Sequence, residues 1–319
     1  MSRDAVLLLT HSGDFYVPER VSEALARRGA RPIRINTDQY PTALDLRLSL
    51  SAGEASVGIG AVSSGEIRAA WLRRLYAPAL PDAVPAEAQG FVRGEAREHW
   101  AGALDLLAAL GVRLVNDPHA VSRVERHKPA QLLAASAAGL RTPETLVTND
   151  PDAARGFYAR CGGDVVVKML SALQQSMGRG LRVPTRRLSE ADLEGLDELR
   201  FGPMCFQERI AARAELRVAY VDGRLFAGKQ RCDAGAVDWR EHGQPWQPGT
   251  VDDDTAHALD RLMRRLGLLY GGIDLMVPED GGPAVFLEVN ASGEWGMLQR
   301  YLDLPIADAI AETLLKESA

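Results

Sequence analysis

Short apolar runs alternate with amphipathic stretches over roughly the first hundred residues of the chain. The run Val6–Thr10 has no charged interruption, which is typical of a strand buried on both faces of a parallel sheet. Between Val17 and Arg28 the apolar positions recur at helical spacing, and Gly29 follows as a helix stop. The same pattern predicts strands at Pro32–Ile35, Leu44–Leu50, Ser56–Ile59, Ile67–Leu75 and Val112–Val115, and a helix at Glu95–Leu110. An α/β layer is the predicted architecture.

Two further segments follow this layer, and the predicted units are residues 1–118, 119–203 and 204–319. The second segment opens with one predicted helix, Val121–Ala138, which ends at Gly139. The third segment contains a predicted hairpin around the Asp222-Gly223 turn. The other predicted elements are strands at Thr145–Thr148, Asp164–Leu170, Met204–Ile210, Tyr270–Val277 and Ala284–Val289, and helices after Pro151 and at Asp253–Leu266.

Composition narrows the class of protein. The 319 residues carry 37 basic and 43 acidic side chains, so a net charge of −6 offers no basic field for nucleic acid. No apolar run approaches the ~20 residues of a membrane-spanning helix, and the N-terminal apolar stretch is too short for a signal peptide. Cys161, Cys205 and Cys232 lie far apart, which favours neither a disulfide framework nor a structural zinc site. We expect a cytoplasmic protein that binds neither nucleic acid nor membrane.

Two nucleotide-binding patterns can be set aside. Gly223 to Lys229 has the GxxxxGK spacing of a P-loop, but Gln230 stands where Ser or Thr should reach Mg²⁺. The predicted context is a hairpin, which has no helix N-terminus to hold a phosphate. No GxGxxG follows the first strand, so the α/β layer lacks the dinucleotide fingerprint.

Three polar residues interrupt the apolar strands near the C-terminus. Glu288 and Asn290 are two residues apart and therefore share one face of a strand, and an antiparallel neighbour can bring Asp274 beside them. Two carboxylates and an amide oxygen form a hard-oxygen site suited to Mg²⁺, which takes further ligands from phosphates and water. The alternative is a pair of edge-strand carboxylates that face solvent, and spacing alone leaves both interpretations open.

Several positively charged side chains lie at positions where a bound anion would stabilise them. Lys168 lies in VVVKML, a strand of buried type that rarely carries an unpaired ammonium. Lys128 opens a helix just before Pro129, where its charge opposes the helix dipole unless it serves a phosphate. Glu215 and Arg217 share one strand face. The competing interpretations are a surface lysine at position 128 and a surface ion pair at 215 and 217.

Taken in order, these residues resemble those of the ATP-grasp ligases, and within them the microviridin-type peptide macrocyclases, the graspetide synthetases. The similarity covers nearly the whole chain, and the TDxxP, WxRR and DWR elements are not general to ATP-grasp proteins. The matching stretches are RINTDQYP, AAWLRR, TPETLVTNDP, VVVKMLS, FQERI, ELRVAYVDGRLFAG, VDWR, GGIDLMV and FLEVNASGEW.

The resemblance implies an ATP-grasp fold with an N-terminal α/β domain, a central domain and a C-terminal domain, with ATP held between the last two. Its implied site residues are Lys128 and Lys168 at the ATP phosphates; the backbone of Gln207, Glu208, Arg209 and Ile210 at adenine; Glu215 at the ribose; Asp274, Glu288 and Asn290 at Mg²⁺; and Arg217, Arg231 and Arg240 at the γ-phosphate and the substrate carboxylate. The chain departs from many ATP-grasp proteins in the loop SALQQSMGRG, where only Gly178 and Gly180 stand in place of a denser glycine-rich lid.

The implied reaction is phosphorylation of an Asp or Glu side chain of a precursor peptide, followed by attack of a Thr, Ser or Lys side chain to close an ω-ester or ω-amide ring. A hydroxyl nucleophile needs a base, for which Asp238 and Glu294 are weak candidates. Family position assigns Glu190 and Asp192 to a leader-peptide site, whereas charge alone indicates a solvated helix face. The family also implies a homodimer. The alternatives are an ATP-grasp ligase that adds glutamate to a protein C-terminus or joins small amino acids, and a nucleotide-binding regulator without catalysis.

Overall fold

The computed structural model describes residues 3–76, 78–170, 185–232 and 245–317. Its N-terminal part is a parallel sheet with strand order β2-β1-β6-β7, covered on one side by an antiparallel sheet β3-β4-β5 and a long helix. The central strand β1 is buried along all six residues, as its uninterrupted apolar run predicts. The elements are β1 (Ala5–Thr10), α1 (Val17–Arg27), β2 (Arg31–Asn36), β3 (Leu46–Ser51), β4 (Glu54–Ile59), β5 (Val62–Ser63), β6 (Ile67–Leu72), α2 (Ala86–Ala109) and β7 (Arg113–Val115).

The middle of the chain forms a four-stranded antiparallel sheet with order β10-β9-β11-β8. One helix and two short 3₁₀ turns, Ala191–Leu193 and Leu196–Phe201, pack on it. The elements in this region are α3 (Pro118–Arg126), α4 (Lys128–Ala137), β8 (Thr145–Thr148), α5 (Pro151–Arg160), β9 (Val165–Lys168), β10 (Arg186–Arg187) and β11 (Met204–Glu208).

The predicted single helix Val121–Ala138 is wrong, because the structure divides this stretch into α3 and α4 at His127. His127 has an extended φ of −126° and ψ of 64°. Pro129 lacks the backbone N–H that would continue the helix, and its ring would clash with the carbonyl four residues earlier. The break places Lys128 at the first position of α4.

The C-terminal part is a five-stranded antiparallel sheet with order β14-β13-β12-β15-β16. The predicted hairpin is confirmed, since Val221 pairs with Arg224 across the Asp222-Gly223 turn. Gly228 and Lys229 lie inside a strand, so the P-loop spacing has no P-loop geometry. The elements are β12 (Ala212–Val221), β13 (Arg224–Arg231), β14 (Gln247–Pro248), α6 (Asp253–Leu266), β15 (Tyr270–Pro278), β16 (Val285–Asn290), α7 (Gly296–Leu302) and α8 (Ile306–Leu315).

Packing joins the three predicted units more closely than the sequence pattern indicates. Strand β11 pairs with β8 and β9, so the central sheet extends to Glu208, beyond the predicted boundary at 203. Helices α3 and α4 pack in one apolar cluster with α6 and the C-terminal sheet. Helix α8 packs in a second cluster against α1 and the N-terminal sheet. No helix in the described ranges is long and apolar enough to span a membrane.

Candidate active site

One face of the C-terminal sheet carries a row of polar side chains. In register, Arg217 of β12 pairs with Asp274 of β15, which pairs with Glu288 of β16, while Asn290 lies opposite Gly272. The antiparallel pairing predicted for Asp274 and Glu288 is confirmed. Glu215 lies two residues before Arg217 and therefore on the same face. The opposite face of these strands is apolar and packs on α6.

Arg217 and Asp274 form a buried ion pair in which Nη1 donates to Oδ1 at 2.5 Å, and both residues are at most 8% exposed. Burial opposes the charge on Arg217, but the neighbouring Asp274 carboxylate outweighs it and raises the pKa of the guanidinium. Asn290 Nδ2 donates to Glu288 Oε1 at 3.1 Å, so the amide and both carboxylates meet on one patch. A side-chain amide can turn its oxygen to the same place.

This donor set fits a hard divalent cation. Carboxylate and amide oxygens are the ligands that Mg²⁺ takes, and Mg²⁺ is bound by one or two carboxylates plus phosphates and water. The described residues hold no group of three His, Cys, Asp or Glu side chains placed to bind a metal. The two carboxylates and the amide would therefore need phosphate oxygens to complete the coordination.

Two lysines converge on the same patch from different elements. Lys128, at the start of α4, donates to Glu288 Oε2 at 2.5 Å, and Lys168, at the end of β9, donates to Gln207 Oε1 at 2.7 Å. Burial raises the pKa of Glu288, but the charge and hydrogen bond of Lys128 outweigh it and hold the pKa well below the ordinary value. Burial lowers the pKa of Lys168, and the Glu288 charge only partly compensates. Both cations are placed to meet an anion above the metal-type ligands.

The segment predicted to contact adenine, Gln207–Ile210, joins β11 of the central sheet to β12 of the C-terminal sheet. Its first two amides after Gln207 are already used, because the Glu208 amide donates to the Glu144 carbonyl and the Arg209 amide to the Asp164 carbonyl, both at 2.9 Å. Among the described residues, no partner takes the amide of Ile210. The Ile210 amide is therefore the backbone donor that remains for the adenine ring.

Some predicted residues do not join this group. Arg231 pairs with Ala214, so its side chain leaves the opposite face of the strand from Arg217, and it is exposed. The stretch Ser171–Gly180, which contains Gly178 and Gly180, lies outside the described residues, as do Asp238 and Arg240.

The acidic stretch at the leader-site candidates is not the predicted helix but the two 3₁₀ turns named above. Asp192 accepts hydrogen bonds from Arg186 Nη1 and from the Ser189 amide and hydroxyl at 2.7–2.8 Å, and Arg186 and Ser189 lower its pKa. Glu190 is exposed and has no ion pair within the described part of the chain. Asp192 therefore holds the turn together, and Glu190 is free to contact a partner.

An arginine clamp, consisting of Arg73 with the Ser292–Glu294 loop, was not predicted. Arg73 is fully buried, donates to the Ser292 carbonyl at 2.6 Å, pairs with Glu294 and lies 3.5 Å from Asp14. Burial raises the pKa of Glu294, but Arg73 and Arg74 outweigh it and lower the pKa, which makes Glu294 a poor base. The WLRR sequence could have predicted a buried ion pair at Arg73, since an arginine directly after a buried strand requires an acidic partner.

Lys128 and Lys168 face the carboxylate–amide patch, and the central and C-terminal antiparallel sheets lie on its two sides. This arrangement defines an ATP-grasp ligase. Residues 5–121 match the MvdD pre-ATP-grasp domain family. The macrocyclase MdnB from Microcystis aeruginosa MRC is 36% identical over 98% of this chain and 99% of its own, with a TM-score of 0.83. The chain therefore belongs to the microviridin-type ATP-grasp peptide macrocyclases, the graspetide synthetases.

Two peptide-bound structures are also similar. MdnC of the same organism, bound with precursor peptide MdnA, is 31% identical over 98% of this chain and 99% of its own, with a TM-score of 0.86. A Chryseobacterium gregarium RiPP-associated ATP-grasp ligase in complex with ADP and a leader and core peptide is 27% identical, over 100% of this chain and 98% of its own, with a TM-score of 0.87. Comparison with curated proteins gives no match.

Proposed function

We propose that the protein uses ATP to close macrocycles in a ribosomally made precursor peptide. It phosphorylates Asp or Glu side chains of the peptide, and Thr, Ser or Lys side chains of the same peptide displace the phosphate to give ω-esters or ω-amides. The observation that carries this proposal is the convergence of Lys128 and Lys168 on the patch of Asp274, Glu288 and Asn290. The cofactors are ATP and Mg²⁺.

The charge of each site residue determines which part of ATP, Mg²⁺ or the peptide it binds. Lys128 and Lys168 hold the ATP phosphates, the Ile210 amide contacts the adenine, and Glu215 holds the ribose. Asp274, Glu288 and Asn290 hold Mg²⁺, which neutralises phosphate charge when bound. Arg217, fixed by Asp274, steadies the γ-phosphate as the substrate carboxylate approaches, because two anions must meet before the phosphoryl group transfers. Tethering of both reacting groups in one peptide then favours ring closure.

Incubation with ATP, Mg²⁺ and the precursor should release ADP and lower the peptide mass by one water per ring. Mass spectrometry measures the product, and a chelator added before ATP should abolish it. Free glutamate, offered in place of the peptide, is the matched control for the alternative ligase activity. ADP release with glutamate and none with the precursor would overturn the proposal.

Leader recognition is proposed for the turn region 186–201, and the structure refines its test. Charge reversal at Asp192 would break the local turn, so Glu190→Lys is the cleaner variant. We expect Glu190→Lys to weaken precursor binding about tenfold, the loss of one charged contact of roughly 1.4 kcal/mol, with unchanged ATP affinity. Calorimetric titration of both ligands measures this. Equal precursor affinity for the variant and the native protein would place the leader elsewhere.

The proposed assembly is a cytoplasmic homodimer that binds no nucleic acid and no membrane. The family resemblance supports the dimer, and the absence of a basic field supports the exclusion of nucleic acid. Light scattering on the eluting protein measures the mass directly, and a mass of 34.6 kDa would contradict the dimer.

A further inference from the structure

Glu125 is a carboxylate beside the loop that follows the proposed Mg²⁺ ligands, and the phosphoryl-transfer chemistry does not use it. It lies in the last turn of α3, three residues before Lys128, and its Oε1 accepts a hydrogen bond of 3.1 Å from the Ser292 hydroxyl. Ser292 follows the metal-type ligand Asn290 by two residues. Glu125 therefore reaches across from α3 to the loop that leaves the candidate Mg²⁺ site.

Three other carboxylates of this region are paired with cations. Asp274 is paired with Arg217, Glu288 with Lys128, and Glu294 with Arg73 and Arg74. Glu125 differs, because no cation of the described residues lies within ion-pair distance of it. The nearest charge that acts on it is that of Arg74. Glu125 is only partly exposed, and among the described residues no salt bridge stabilises its carboxylate.

This environment suits proton transfer. Burial raises the pKa of Glu125, and the Ser292 hydrogen bond and the Arg74 charge only partly offset this. A carboxylate with a raised pKa is a stronger base, and a general base is most effective when its pKa approaches the working pH. The Arg73 clamp holds the Ser292 carbonyl at 2.6 Å and so fixes the loop that orients Glu125.

We propose that Glu125 is the general base for ring closure. The proposal rests on the proposed function. The nucleophile hydroxyl of the peptide gives its proton to Glu125 as its oxygen forms a bond to the acyl-phosphate carbon. The bond between that carbon and the phosphate oxygen breaks, and inorganic phosphate leaves with the electron pair. An ammonium nucleophile loses one proton to the same carboxylate before attack, and the departing phosphate takes the second proton from the nitrogen as the amide forms.

Glu125→Gln tests this role, because it preserves shape and removes the base. Hydroxylamine traps an acyl-phosphate as a hydroxamate without needing a protein base. With ATP, Mg²⁺, precursor and hydroxylamine, we expect the variant to form hydroxamate at close to the native rate. Without hydroxylamine, ring closure measured by mass should fall about 10²-fold or more, within the range for loss of a general base.

Two further variants complete the design. Ser292→Ala removes the hydroxyl that orients Glu125 and should give a smaller loss of ring closure with hydroxamate formation retained. Glu98→Gln, on the exposed face of α2, should change neither rate. Native-rate ring closure in Glu125→Gln, or an equal fall in both reactions, would overturn the role of Glu125. A native protein that formed neither rings nor hydroxamate would overturn the proposed function instead.

Discussion

Asp274→Asn should lower peptide-dependent ADP release by about 10³-fold or more. The substitution removes a charge from the proposed Mg²⁺ ligands and weakens the support of Arg217, both of which act on phosphoryl charge. Such charge stabilisation is worth several kcal/mol, and each ~1.4 kcal/mol corresponds to tenfold in rate. Initial rates of ADP release at saturating ATP and precursor measure the effect.

Stability must be separated from catalysis in this variant. Breaking a buried ion pair costs about 3–5 kcal/mol, because the remaining charge stays buried without a partner. The double variant Arg217→Met/Asp274→Asn removes both charges, so it should regain most of the free energy of unfolding while activity stays lost. Asp280→Asn, in the exposed turn of the same hairpin, is the control and should keep native activity. Activity regained together with stability would show that Asp274 serves only the fold.

Arg73→Met should reduce the free energy of unfolding by about 3–5 kcal/mol, since the buried Asp14 would lose its cation and Glu294 would keep only Arg74. The same change frees the Ser292–Glu294 loop from the N-terminal sheet, so ring closure should also decline. Denaturant unfolding followed by tryptophan fluorescence measures the first effect, because Trp71 and Trp295 both lie in the affected core.

A double-mutant cycle identifies the cause. If Arg73 acts mainly through Glu294, the second substitution Glu294→Gln should cost less in the Arg73→Met background than in the native protein. Arg68→Met removes a partly buried arginine from β6, the strand that Arg73 directly follows, and serves as the control. Strictly additive losses in the cycle would mean that Arg73 stabilises the protein through its backbone contact to Ser292 rather than through Glu294.

Local patterns were sufficient to predict much of the fold and of the nucleotide-facing residues. Strand Thr145–Thr148 and helix Asp253–Leu266 have the predicted bounds, because their apolar periodicity ends at strong turn or cap residues. The metal-type patch was predictable because period-two spacing fixes a shared face in any strand. Pro129 also indicates a helix break between α3 and α4. The apolar periodicity continues through it, however, and this led to the prediction of one helix.

Residues joined by long-range packing could not be predicted in this way. Arg73 and Ser292 are 219 positions apart, and neither their pairing nor the approach of Glu125 to the same loop has a local signal. The acidic stretch formed 3₁₀ turns instead of a helix, because Arg186 and Ser189 donate local hydrogen bonds to the Asp192 carboxylate. The placement of Arg231 depended on strand register, which composition does not fix.

The packing of α8 against the N-terminal sheet has a consequence for the order of folding during synthesis. Ile306, Ile310 and Leu314 of α8 share one apolar cluster with α1 and β6, and Arg28, which directly follows α1, binds Asp308. The ribosome makes β1 and β6 about 230 or more residues earlier, at roughly 5–20 residues per second. The part of this sheet face that α1 does not cover therefore stays exposed for many seconds and depends on α8 for its protection from aggregation.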